Sequence, residues 1–204
     1  MPIPSPRTGW RERAGVLGLA AAIVATIAMY LALNPSGGDS ASRNLLPYQA
    51  LARALPDSEA SQFRAIRSAE IAAESDRART STWPQPSALA ARGIAPFAAA
   101  SPAAEYHWSL MPQGTIIDYF GRPRDPSQPA WLLEIQEPEP GLPPDRAPLD
   151  EEHHRLPDGT VLHVYVWMHR YGGQVPVEFV RQPQTTGWVE VFSEPPNPTY
   201  YNRR

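Results

Sequence analysis

Between Ala14 and Leu33 the chain runs for 20 residues without a charge, and this stretch constrains the fold more than any other. Nine of its residues are large aliphatics (Val16, Leu17, Leu19, Ile23, Val24, Ile27, Met29, Leu31, Leu33) and seven are alanine. At ~1.5 Å per residue a helix of this length covers about 30 Å, the thickness of a hydrocarbon core. Trp10 and Tyr30 near its ends suit the interfacial aromatic belt, and Asn34-Pro35-Ser36-Gly37-Gly38 stops it. The pattern predicts a transmembrane helix over 14–33, preceded by a short cytoplasmic tail over 1–13. Arg7, Arg11 and Arg13 flank the first side, whereas the next arginine is Arg43, so the positive-inside bias exports everything that follows. A cleaved signal peptide would have a shorter apolar region, ~7–15 residues, with a small-x-small site close behind it. Here the nearest such site, Ser40-Ala41-Ser42, lies well downstream. A core helix of a globular protein would need a polar face, and none exists.

The remainder must fold without covalent staples. The chain has no cysteine, which excludes disulfides, zinc–thiolate sites, iron–sulfur clusters and thiol nucleophiles. Leaving out residues 1–33 removes Arg7, Arg11, Arg13 and Glu12, so 15 arginines face 20 acidic residues and the exported part carries −5. That balance excludes a nucleic-acid binder. Residues 34–44 read as a linker, 45–194 as one exported α+β domain and 195–204 as a mobile tail.

Within the domain, Asp57 after Pro56 is expected to cap a helix running to about Arg79. Phe63, Ile66 and Ala73 mark its apolar face, while Arg64, Arg67, Glu70, Glu74 and Arg77 are assigned to the solvated remainder. A shorter helix is expected over Ser87–Arg92. From about Glu105 the periodicity changes to two. Strands are predicted at Glu105–Met111, Thr115–Phe120, Trp131–Gln136, Glu151–Leu156, Thr160–His169, Val175–Arg181 and Trp188–Ser193, with Pro176 marking an edge strand. Helices first and strands afterwards give an antiparallel β-meander sheet covered by an amphipathic helix. The acidic, proline-rich loop Glu137–Pro148 reads as a stiff connection.

Two pentapeptides, Met111-Pro112-Gln113-Gly114-Thr115 and Leu156-Pro157-Asp158-Gly159-Thr160, look like one turn used twice. If Leu156 opposes Thr160, paired residue numbers sum to 316. His154 then faces Leu162, His153 faces His163, and Glu151 faces Tyr165. Opposed residues have Cβ atoms ~5 Å apart, close enough for two imidazoles to share one ion. Glu151 one pleat along completes a two-histidine, one-carboxylate set suited to zinc, copper or iron. His154 points to the other face. His107, in the first hairpin, is a third imidazole ligand only if the hairpins adjoin. The competing reading is a solvated acidic loop with surface histidines, because one register slip breaks the pairing.

The string DEEHHRLPDGTVLHVYVWMHR, with an upstream helix followed by WPQPSALAARGIAPF, resembles uncharacterised small single-pass bacterial proteins encoded beside zinc-type metal ABC uptake systems. The resemblance implies the bacterial inner membrane as location, with the domain in the periplasm. It also implies an accessory role in metal handling through His153, His163 and, less directly, His154 or His107.

The sequence therefore predicts a membrane-anchored periplasmic accessory protein that binds zinc or copper and assists uptake or delivery. Its expected partners are the membrane and a metal transporter component or another envelope protein. The alternative is a non-enzymatic structural or interaction module docking on a membrane protein. No nucleophile elbow, phosphate loop or HExxH helix is present, so an enzyme is not expected.

Overall fold

A computed structural model describes residues 9–33, 45–98, 106–141 and 150–193. The predicted linker 34–44 and the tail 195–204 lie outside the described residues, as does most of the proline-rich loop. The chain divides into two units, Met1–Arg43 and Asn44–Arg204.

The first unit contains one helix, α1 (Gly9–Leu33), which starts five residues earlier than the apolar run. Val16, Leu17, Leu19, Ile23, Val24 and Met29 are each at least 52% exposed. Thr26 answers its own polarity by donating to the carbonyl of Ala22 at 2.8 Å. Among the described residues no helix is long and apolar enough to cross a membrane. The run 14–33 is helical throughout, within α1.

The second unit is α+β. Helix α2 (Asp57–Thr80) has Asp57 and Glu59 in its first turn and Arg77 and Arg79 in its last, matching the helix dipole. Asp57 is not the cap. Pro56 holds that position without a side-chain bond, and its carbonyl accepts from Ala60 N–H at 2.9 Å. The helix ends where Ser81 turns left-handed (φ 59°) and donates to Arg77 O. Helix α3 (Pro86–Ala91) starts on a proline, whose missing N–H costs nothing there.

Seven strands form one sheet: β1 (Gln49–Leu51), β2 (Tyr106–Gln113), β3 (Ile116–Pro123), β4 (Ala130–Gln136), β5 (His153–Arg155), β6 (Val161–His169) and β7 (Val189–Phe192). Their order is β1-β7-β6-β4-β3-β2, and β5 lies end to end with β7 along the same edge of β6. Six of the seven predicted strands are present, with ends shifted by up to three residues. The sheet is mixed rather than a pure antiparallel meander, because β1 pairs parallel to β7. Three residues, Gln-Ala-Leu, are too few to show a period of two.

Val175–Arg181 is not a strand. Gly172–Gln174 turns the chain, Pro176 and Pro183 cannot donate to a ladder, and Val180 N–H is given to the Asp118 carboxylate at 3.1 Å. This segment instead covers one face of the sheet. The two look-alike turns also differ. In β5–β6 Leu156 N–H donates to Thr160 O at 2.8 Å, as predicted, but in β2–β3 Gln113 pairs with Ile116 and Pro112 with Ile117. The first hairpin thus closes on Gly114-Thr115 alone.

Helices α2 and α3 cover the other face. Phe63, Ile66, Ala73 and Leu89 pack on Tyr119, Trp131, Leu133, Ile135, Leu162, Val164, Val166 and Met168, nearly all without solvent contact. Each large side chain so buried contributes about 1.5–3 kcal/mol of transfer free energy. On the covered second face Phe120, Leu132 and Trp167 pack with Val175, Val180 and Trp188. Trp167 on this face is only 6% exposed.

Candidate metal centre around strand β5

Strand β5 is three residues long, and two of them are histidines. The pairs His153↔His163, His154↔Leu162 and Arg155↔Val161 reproduce the predicted register. Alternation then sends His153 and His154 to opposite faces.

On the face away from α2, the His153 and His163 rings lie edge to face with centroids 4.7 Å apart. Asp150 fixes the first ring. Its Oδ1 lies 2.7 Å from His153 Nδ1 and also accepts the backbone N–H of Glu152 and of His153, both at 2.9 Å. A carboxylate on one imidazole nitrogen orients the ring and makes the other nitrogen a better ligand. Nε2 of His153 is therefore the nitrogen available for an ion.

Glu151 does not complete this set. Its carboxylate accepts Ser193 N–H at 2.8 and 3.0 Å and lies 3.7 Å from Arg67 Nε. Arg67 also donates to the Glu151 carbonyl. His107 is excluded by topology. It pairs with Arg122 on β2, and β3 and β4 separate it from β6. At ~4.8 Å per strand that is about 14 Å sideways. His169, at the far end of β6, packs on Trp188 with centroids 5.5 Å apart.

On the α2 face His154 meets two carboxylates. Its Nδ1 is 2.7 Å from Glu74 Oε1 and 2.9 Å from Glu70 Oε1. These three residues are the one set of three ligating groups that converges among the described residues, with ligand atoms all within 4.8 Å of one another. A single Nδ1–H serves one oxygen well, and the geometry gives it to Glu74. Glu70 Oε1 is left buried without a hydrogen-bond donor, while Oε2 takes Arg67 at 2.6 Å. Burial drives the Glu70 carboxyl above its ordinary range, and His154 and Arg67 hold it back. For His154, burial disfavours the charge, but the bonds and charges of Glu70 and Glu74 outweigh it and push the imidazole up to about 10. His154 thus hydrogen-bonds Glu74 and lies within ion-pair distance of Glu70.

A family model matches residues 49–195 of this chain, 147 of its 204 residues. The chain belongs to DUF6162, a family of unknown function. No curated protein and no solved structure matches it. The DUF6162 match begins at β1 and ends just beyond β7, so it contains both faces of β5 and leaves out α1.

The DUF6162 domain also holds buried acids that no sequence motif marks. Asp118 and Glu134 face each other across β3 and β4, 0% and 2% exposed, and Glu190 on β7 is 5% exposed. Desolvation pushes Asp118 up to about 7, helped by Glu134 and opposed by the Val180 N–H. Desolvation likewise takes Glu190 to about 7, opposed by the Gln49 amide 3.0 Å away. Glu70 was assigned to solvent, yet it lies seven residues after Phe63, two helical turns along the apolar stripe. A charge on that stripe was the signal for a buried polar site.

Proposed function

We propose that the chain is a membrane-anchored accessory domain of the bacterial envelope that binds a transition metal and assists its uptake or delivery. One observation carries the reading: the His153 and His163 rings stand side by side with centroids 4.7 Å apart, and Asp150 holds Nδ1 of the first ring, which leaves Nε2 as its ligating nitrogen. Two imidazoles suit zinc or copper, and a two-ligand site leaves coordination positions open for a donor or acceptor. The uncharged run 14–33 and its flanking arginines support the anchor. The likeness to proteins encoded beside metal ABC uptake systems supports the assignment to metal handling and the periplasm. The proposed partners are the membrane and a transporter component, and no catalytic role is assigned.

A second reading, a non-enzymatic module docking on an envelope protein, is favoured by the chain of hydrogen bonds and ion pairs Ser193–Glu151–Arg67–Glu70–His154–Glu74. It ties the segment after β7, the segment around β5 and α2 together without a metal. Elemental analysis separates the two. Full-length protein purified from membranes without chelator should retain zinc or copper, and His153→Ala/His163→Ala protein should retain one equivalent less. Equal, near-zero metal in both would favour the docking module.

A further inference from the structure

We propose a second cation site, formed by Glu70 and Glu74 of α2 with His154 of β5, for a divalent transition ion such as zinc or manganese. It shares no residue with the His153–His163 pair and stands or falls independently of it. Glu70 and Glu74 are four residues apart, so both project from one side of α2, and β5 brings His154 Nδ1 to within 2.7 and 2.9 Å of them. The second observation is Glu70 Oε1 itself, which is fully buried 2.9 Å from His154 Nδ1 yet accepts no hydrogen bond, since that N–H goes to Glu74. An N–H can satisfy one of the two oxygens, whereas a cation satisfies both along with the nitrogen.

Charge points the same way, because three carboxylates, Glu70, Glu74 and Glu151, gather around Arg67 and His154. Bonds of about 2.1 Å in a tetrahedron put ligand atoms roughly 3.4 Å apart, so His154 needs to recede by only about 0.6 Å. Two carboxylates and one nitrogen make a harder site than the histidine pair, better suited to zinc or manganese than to copper(I).

The test uses full-length protein in detergent carrying His153→Ala/His163→Ala, which isolates the second site. Co²⁺ serves as the optical probe of coordination, and NMR of the imidazole nitrogens with diamagnetic Zn²⁺ reports on His154. One equivalent of Co²⁺ should bind, and one equivalent of Zn²⁺ should move the His154 Nδ1 resonance. Glu74→Gln should weaken binding roughly 10–100-fold or more. Circular dichroism checks that the Glu74→Gln protein is folded. If it is not, the Nδ1 resonance decides alone. Absence of binding, or binding with His154 unmoved, would reduce the cluster to a proton-bridged ion pair and overturn the proposal.

Discussion

His153 and His154 are neighbours in the chain, and their imidazoles stand on opposite faces of the sheet. One meets His163 with ring centroids 4.7 Å apart, and the other meets Glu74 at 2.7 Å. A strand of three residues thus joins two chemically different sites, and anything that moves β5 along β6 dismantles both. A slip of one residue would exchange the faces of His153 and His154 and part each from its present partners.

The turn that sets this register predicts a separable pair of effects. Gly159 sits at φ 91° and Gly114 at φ 64°, and a Cβ at either would meet no atom within 4 Å. Gly159→Ala and Gly114→Ala should each cost about 1–2 kcal/mol from backbone strain alone, read by urea unfolding. Only Gly159→Ala should also weaken metal binding, because only that turn aligns His153 with His163.

Buried acids give the domain a pH dependence of definite sign. Asp118 is raised from 3.8 to about 7 when folded, so the folded state holds its proton more tightly than the unfolded chain does. Its contribution is complete below about pH 4 and is lost as pH rises through 7. Glu190, raised from 4.5 to about 7, acts in the same window. Thermal unfolding should therefore fall in midpoint from pH 5 to pH 8, and Asp118→Asn should flatten that slope. A midpoint that rises over this interval would contradict the assignment.

A close approach elsewhere predicts a steric cost. Gly121 pairs with Trp108, and a Cβ there would come to 2.7 Å from the indole. Gly121→Ala should lose about 1–3 kcal/mol through overpacking. Combined with Trp108→Leu, the loss should be less than the sum of the two single changes, since both act on one contact.

The proposed anchor is tested by fractionation. Full-length protein should remain with membranes after alkaline carbonate washing, and protease added to spheroplasts should digest the domain. Removing residues 1–33 should release it. Recovery of the full chain in the soluble fraction would contradict the anchor.

How much of this was legible follows from where each signal sits. The β5–β6 register could be read because Pro157, Asp158 and Gly159 fix a local turn and the alternation of Leu162, Val164, Val166 and Met168 fixes the core side. The same letters at 111–115 misled, since Pro112 tolerates a paired strand position and the turn closes one step later. Val175–Arg181 looked like a strand because β-branched residues alternate there, but its backbone bonds go to a side chain and local turns. Glu70 and Glu74 could not be joined to His154 from the sequence. That contact spans 80 residues and depends on how α2 lies across the sheet. Asp118 and Glu134 were hidden because the segment that buries them is irregular.

Calorimetric titration of metal-free, full-length protein with Zn²⁺ and Cu²⁺, beside the His153→Ala/His163→Ala variant, decides whether the histidine pair holds an ion. The wild type should bind saturably and the variant should lose one equivalent, with folding unchanged. Binding of equal stoichiometry and affinity to both proteins, or no binding to either, would contradict a site at that pair.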